Sequence, residues 1–179
     1  MFEDVLARIR TLFRQTAYIV TLHADEEMAN DGLYLPDIEH VLMTGQIIGR
    51  QHDVHTAIWK YLIQGYTRDD IDVVIVAKIS PVDMLIIVTD CGEFMTDQSS
   101  EGSRLCAHCG SPHARLRYLS RSYGTGADLL VIEHVPVISC PSCGESYMTA
   151  QTMLELDHIR RQRQQRATTR PVAVAAFGK

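Results

Sequence analysis

The sequence predicts an α+β protein: N-terminal helices plus an antiparallel sheet, then a small β-hairpin module built on four cysteines, then a C-terminal helix. Three observations carry this reading. Apolar residues recur at helical spacing over residues 2–15 and again over 149–166. Strand-sized runs of β-branched and apolar residues, separated by turn residues, fill residues 46–90. Two Cys-x-x-Cys pairs bracket thirty residues that hold two further strand patterns. Helices followed by consecutive strands is the α+β order.

In the first helix, Phe2, Val5, Leu6, Ile9, Leu12 and Phe13 form one stripe, with Glu3, Arg10 and Arg14 off it. Residues 18–22 are β-branched and aromatic, so they read as a short strand. Residues 23–30 read as an acidic helix ended by Asp31 and Gly32. Pro36 suits the first turn of a third helix, where Asp37 and Glu39 complement the macrodipole, and Gly45 stops it. Strands are expected over 46–51, 57–64, 71–79 and 84–90, with Asp53, Gly65, Asp69, Asp70 and Pro81 between them. A hairpin over 113–123 and 128–135 turns at Gly124, Thr125 and Gly126. In the last helix, Thr149 is the expected N-cap, and Met153, Leu156 and Ile159 line one face. A tail follows from Ala167.

The small polar stretch at residues 97–103 reads as a linker. It divides a first domain, 1–98, from a cysteine module, 104–149, which is followed by a basic helix and tail, 150–179. Charge follows the same division. Residues 1–100 carry 16 Asp/Glu against 7 Lys/Arg, whereas residues 151–179 carry 2 against 6. An acidic first domain is a poor match for a phosphate backbone, and only the C-terminal segment has the charge of a nucleic-acid binder. No segment is long and apolar enough to span a bilayer, so no membrane partner is expected. The opening residues lack a basic region followed by a long apolar core, so a cytoplasmic location is expected.

That compartment decides how the five cysteines are read. In a reducing environment, paired Cys-x-x-Cys units point to a metal rather than to disulfides. Cys106, Cys109, Cys140 and Cys143 are the expected ligands of one structural zinc ion. Each pair forms a knuckle that aims two thiolates at one point, and glycine follows each pair as Gly110 and Gly144. Four protein ligands leave no open position for a substrate. A redox-active dithiol or an iron–sulfur centre is the alternative. His108, His113 and His134 lie near the pairs and read as spacer or surface residues. Cys91 stands alone between Asp90 and Glu93, which would raise its pKa, so it reads as packed and inert.

Three stretches of this module carry a resemblance: Cys106-Ala107-His108-Cys109-Gly110, the strand ending Val131 to Pro136, and Cys140-Pro141-Ser142-Cys143-Gly144-Glu145-Ser146-Tyr147. With them, residues 106–148 resemble the YgiT-type zinc finger of MqsA-family antitoxins. The resemblance implies one zinc and a partner toxin. Those antitoxins continue into a helix-turn-helix, but only about thirty residues follow Tyr147 here, so DNA binding is not expected. A second set comprises Tyr18 to Ala24, Met28, Gly32-Leu33, Asp37-Ile38-Glu39, Gly45 and Trp59-Lys60-Tyr61. With it, residues 17–91 resemble small domains of unknown function related to RelE- and MqsR-like toxins, which implies a fold of that kind. Glu27 and Asp31 stand where that pattern carries arginine, and the strand at Val88 to Cys91 lacks its terminal tyrosine.

The ribonuclease set that remains is His23, Lys60 and Tyr61. His23 is a candidate general base, or a helix-start residue bonded to backbone. Lys60 is a candidate phosphate contact, or an ordinary strand lysine. Lys60 and Tyr61 alternate on a strand and face opposite sides, with Trp59 on the side of Tyr61. Asp25, Glu26 and Glu27 read as a solvated helix face, with a metal or a basic partner as the alternative. Residues 160–166 read as a solvated helix end, a contact for the acidic first domain, or an RNA contact.

These readings combine into a toxin–antitoxin-related fusion: a toxin-like domain joined to a zinc-dependent protein-binding module. Its partner is a separate protein or its own second module, and self-association stays open. Enzymatic activity stays open as well, and a weak, mRNA interferase-like ribonuclease is the only activity the residues suggest. The alternatives are a non-catalytic zinc-containing adaptor or regulator, and an RNA-binding zinc protein acting through its basic helix.

Overall fold

The computed structural model describes residues 2–53, 58–88 and 104–173. Cys91 and the linker at 97–103 lie outside the described residues. Helix α1 spans Glu3–Arg14, β1 Tyr18–Thr21, α2 Leu22–Asn30 and α3 Leu35–Thr44. Strands β2 (Gln46–His52), β3 (Trp59–Tyr66), β4 (Asp72–Ile79) and β5 (Leu85–Val88) follow. The cysteine segment adds β6 (Arg115–Tyr123), β7 (Leu130–Ser139) and β8 (Ser146–Thr149), then α4 (Ala150–Arg161) and the short α5 (Arg163–Arg166). Helices and strands thus form the expected α+β arrangement.

The local chemistry of the helix ends is as the residues suggest. Thr21 caps α2 through a bond from the Ala24 N–H (3.2 Å), and Thr149 caps α4 through one from Thr152 (3.3 Å). At the start of α3, the Asp37 carboxylate accepts from the Tyr34 N–H at 2.9 Å. At its other end, the Arg10 guanidinium donates to the carbonyls of Leu42 and Gly45, both at 2.9 Å. It thereby pairs carbonyls that a helix leaves open at its C-terminus. The C-terminal helix differs from the expected single run, because it breaks at Gln162 between α4 and α5.

All eight strands join in one sheet, in the order β2-β3-β4-β5-β1-β8-β7-β6. Two antiparallel meanders, β2 to β5 and β6 to β8, meet on either side of β1. β1 runs parallel to β5, with Tyr18 opposite Leu85, and antiparallel to β8, with Val20 opposite Met148. β8 was not anticipated from the sequence.

The sheet is covered on both faces. Helices α1 to α4 pack on one face, where Ile9, Leu12, Val41, Leu42, Met153 and Leu156 meet Tyr18, Val20, Ile63, Leu85 and Met148. On the other face lie Ile19, Val76, Ile86 and Val88, packed with Cys106, Ala114, Cys140 and Tyr147. Because side chains alternate along a strand, burial on both faces makes every residue of β1 and β5 buried.

Asp25 corrects the reading of a solvated acidic face, for it is fully buried. Its Oδ2 accepts from Arg121 of β6 (2.8 Å) and from the Tyr123 hydroxyl (3.0 Å), and Glu26 takes the same guanidinium at 3.0 Å. Burying a carboxylate is tolerable here because charge and hydrogen bonds meet it together. The basic C-terminal run is also engaged internally. Arg160 lies over the rings of Tyr34 (4.5 Å) and Tyr123 (4.7 Å), Arg161 pairs with Asp157 and Arg166 with Glu155. Asp25→Ala leaves Arg121 in place with only the exposed Glu26. It is expected to lower unfolding stability by about 3 kcal/mol, the lower end for breaking a buried pair, measured by urea denaturation.

Candidate metal centre and the sheet face beneath it

The first knuckle leads into β6 and the second joins β7 to β8. In each, the amide after the second cysteine returns to the first: Gly110 N–H to the Cys106 carbonyl and Gly144 N–H to the Cys140 carbonyl, both at 2.8 Å. Closing that turn requires φ of +76° at Gly110 and +74° at Gly144, a region that only glycine enters without strain. A matching pair holds the base of each turn, Cys106 N–H to Ser111 O (2.7 Å) and Cys140 N–H to Glu145 O (2.9 Å). The two knuckles are therefore near copies, facing each other, with the Ser111 and Ser142 hydroxyls 2.7 Å apart across the gap.

The four sulfurs lie within 4.8 Å of one another. Cys106 and Cys143 are 3.9 Å apart, and Cys109 and Cys140 are 3.8 Å apart. These separations are far too long for disulfides, whose S–S bond is about 2.0 Å. They suit one ion: a tetrahedron with metal–sulfur bonds of about 2.3 Å puts the sulfurs about 3.8 Å apart. The four cysteines could thus hold a single metal ion with no open position. Peptide N–H groups of His108 and Cys109 reach the Cys106 sulfur, Ser111 reaches Cys109, and Glu145 reaches Cys143. Such donors spread the negative charge that four thiolates bring together. Among the bare thiols, the hydrogen bond from Cys143 holds Cys106 down at about 4, and the same contact pushes Cys143 up.

The knuckles lie against the sheet face opposite the helices. Cys106 and Cys140 are buried on Ile19, Val76, Ile86 and Val88, with Leu62, Met84 and Leu116 at the margin. Tyr147 of β8 is buried beneath them, and its hydroxyl accepts from the Ala107 N–H at 2.8 Å. A set of polar groups shares this interface, and the sequence reading passed over most of it. Lys78 of β4 is buried and paired with buried Asp53 at 2.8 Å. His108, expected to be a spacer or surface residue, is only 4% exposed. Burial is the largest influence on His108, and with Lys78 nearby it is lowered to about 4, so the ring is neutral near neutral pH. Its Nε2 stands 3.9 Å from Glu145, too far for a hydrogen bond. Burial raises Glu145, and Lys78 opposes that rise. Lys78 within an otherwise apolar strand, residues 73–79, was the one sequence signal for this cluster.

The ribonuclease candidates are not gathered in one place. His23 is exposed at the start of α2, just past the end of β1. Lys60 and Tyr61 are on β3, three strand spacings from β1, about 14 Å at ~4.8 Å per spacing. Tyr61 faces the helices, against Phe2 with ring centroids 6.2 Å apart. Lys60 faces the knuckle side, directly opposite Lys78. His113 and His134 are exposed. An open cleft of about 260 Å³ between the start of β1, β8 and the first knuckle is lined by Tyr18, Met84, Leu105, Ala107 and Tyr147 among others, with no charged residue. Among the described residues, no helix is long and apolar enough to cross a membrane.

Residues 20–89 match the family model described as a domain of unknown function, DUF4258. The match runs from β1 through β5, the half of the sheet on which the knuckles rest. No curated protein and no solved structure matches the chain. The chain therefore joins a DUF4258 domain to a four-cysteine centre that packs on its sheet.

A side chain at Gly110 or Gly144 strains a left-handed residue by about 1–2 kcal/mol. Gly110→Ala and Gly144→Ala are expected to loosen metal retention by roughly 5–30-fold. Competition with a chromophoric chelator measures this.

Proposed function

We propose that this chain is a toxin–antitoxin-related fusion, in which a toxin-like DUF4258 domain is held by a structural-zinc binding module. The observation that carries it is the packing of the knuckles onto the DUF4258 sheet, over the face that holds Lys60. On this reading, two modules of the kind that meet as separate chains meet within one. Linkage raises their effective concentration to the point where docking is the ordinary state. Zinc is the proposed metal because four cysteine sulfurs at tetrahedral spacing match its structural sites.

In this reading the domain is a weak or inactive ribonuclease. Phosphodiester cleavage builds negative charge on the phosphoryl group, and losing one stabilising donor costs roughly 10²–10³ in rate. Glu27 and Asp31 are carboxylates where the resembling domains carry arginine, and His23 stands apart from Lys60. That separation also favours the second reading, a non-catalytic adaptor whose sheet is a binding surface. The internal partners of Arg160, Arg161 and Arg166 weigh against RNA binding through the basic helix.

Elemental analysis of the purified chain is expected to give close to one zinc, lost in Cys140→Ser. Absence of metal, or a centre absorbing visible light, removes the zinc reading. Expression of the whole chain, of Cys140→Ser, and of Cys140→Ser with His23→Ala tests the enzyme. Growth and cellular RNA are expected to change little in all three. Rapid arrest with RNA cleavage in Cys140→Ser, abolished by His23→Ala, restores an active ribonuclease.

A further inference from the structure

The four sulfurs of the cluster differ in access. Cys106 and Cys140 are buried, at 0% and 2% exposure, whereas Cys109 and Cys143 are half-buried. The two direct sulfur contacts each join one of either kind across the gap between the knuckles. Cys143 meets Cys106 at 3.9 Å, and Cys109 meets Cys140 at 3.8 Å. Each buried sulfur is thus faced, from the opposite knuckle, by one that solvent reaches.

Contacts between protein groups hold the knuckles in this opposition. β6 leaves the first knuckle and pairs with β7, Arg115 opposite Ser139. β7 and β8 lead into and out of the second knuckle and pair with each other, Ser139 opposite Ser146. The Ser111 and Ser142 hydroxyls meet across the gap at 2.7 Å, and the Ala107 N–H donates to the Tyr147 hydroxyl at 2.8 Å. Ladders and hydrogen bonds therefore set the facing sulfur pairs, and none of these contacts runs through an ion. Closing either pair to a disulfide of about 2.0 Å moves each sulfur by about 0.9 Å. A small adjustment of two side chains and their turns supplies that.

We propose that Cys109 and Cys143 are sites of oxidative modification by hydrogen peroxide, and that each ends in a disulfide to the buried cysteine facing it, Cys109–Cys140 and Cys106–Cys143, in place of the metal. The Cys109 thiolate attacks one peroxide oxygen: an S–O bond forms, the O–O bond breaks, hydroxide leaves, and the sulfur is oxidised by two electrons to a sulfenic acid. The Cys140 thiolate then attacks that sulfur: the S–S bond forms, the S–O bond breaks, and a second hydroxide leaves. Cys143 and Cys106 follow the same course. Two peroxides thus take four electrons from four thiolates, and a site without thiolates releases its ion. The thiolate waiting 3.8 Å away meets the sulfenic acid before further oxidation does. Both disulfides tie one knuckle to the other, as the ion does, so oxidation exchanges one crosslink for two. The inference rests on the zinc reading for the ion released, and on the sulfur geometry alone for the pairing.

The test titrates the metal-loaded full chain with hydrogen peroxide. A chromophoric chelator reads the zinc released, and proteolysis without reductant followed by mass spectrometry maps the disulfides. Zinc release should follow disulfide formation and approach one ion per chain as two disulfides form, Cys109–Cys140 and Cys106–Cys143. A sulfenic acid trap such as dimedone, present during the titration, should label Cys109 and Cys143 and leave Cys106 and Cys140 largely unlabelled. Thiol reductant with added zinc should restore the loaded chain. The oxidised chain should melt at a higher temperature than the reduced chain stripped by chelator, because its knuckles stay crosslinked. Cys91→Ser should behave as the unaltered chain in every arm, which separates the cluster from the fifth cysteine. The proposal is overturned if the disulfides form within a knuckle, as Cys106–Cys109 or Cys140–Cys143, if they join separate chains, if the trap labels the buried pair instead, or if zinc leaves only as the sulfurs pass irreversibly to sulfinic acids. A loaded chain that keeps its zinc and its thiols through the titration defeats this proposal alone. A chain that carries no metal as purified defeats the zinc reading, and the disulfide map of that chain still decides the pairing.

Discussion

Strand β1 is four residues long, yet the organisation of the molecule passes through it. It takes β5 on one side and β8 on the other, so the DUF4258 meander and the cysteine-module meander become one sheet. A strand with ladders on both edges and side chains buried on both faces has no room for polar substitution. Tyr18 and Val20 enter the helix-side core and Ile19 enters the knuckle side. The register of β1 therefore fixes what each face can carry, since a slip of one residue would exchange the two sets. It also orients α2, which begins immediately after it and sets Asp25 against Arg121. The four-cysteine cluster depends on the same strand at one remove, because β8, which pairs with it, carries Tyr147 under the first knuckle.

The two halves are joined differently on the two faces. On the helix side the contacts are apolar, reinforced by the Asp25–Arg121–Tyr123 group and by Arg160 between two tyrosine rings. Each charged group there has an opposite charge or an aromatic face to meet it. On the knuckle side, Lys78 and Asp53 are buried together while His108 keeps one nitrogen unpartnered. Both faces leave buried polar atoms without a hydrogen-bond partner, Asp25 Oδ1 and Arg121 Nε on the helix side and His108 Nδ1 on the knuckle side. The basic residues of the C-terminal helices pair close to home, Arg161 with Asp157, Arg166 with Glu155 and Arg163 with Asp128.

How much of this the sequence disclosed depends on the range of the interaction. The stripe of Ile9, Leu12 and Phe13 gave α1 to within a residue at each end, because helical periodicity is local. The spacing of Cys106, Cys109, Cys140 and Cys143 identified the residues that converge, because each knuckle is a local turn and the chemistry of thiolates supplies the rest. β8 left no such mark. It is four residues long, begins with Ser146 and ends with Thr149, and it exists because β1 and β7 offer ladders to it. The burial of Asp25 was unreadable for a similar reason, since its partner is 96 positions away and a run of acids on a helix normally faces water. The parallel pairing of β1 with β5 is a matter of topology, which no local pattern records. Lys78 is the intermediate case. A lysine inside an apolar strand was visible, but only the fold shows that it is buried beside Asp53.

The metal and the polar interface explain each other. A segment of the size of 104–149 buries only a small core of its own. Here the buried cysteines are part of the core, packed on Val76, Ile86 and Val88, so the turns that could hold an ion are also part of the packed interface. On the proposed zinc reading, metal binding supplies on the order of 10–16 kcal/mol to the order of the knuckles. Burying an ion pair and an unpartnered imidazole nitrogen costs at most several kcal/mol. On that reading the stabilisation of the knuckles exceeds the cost of the polar groups beneath them, so a metal centre and the buried Lys78–Asp53 pair can share one interface.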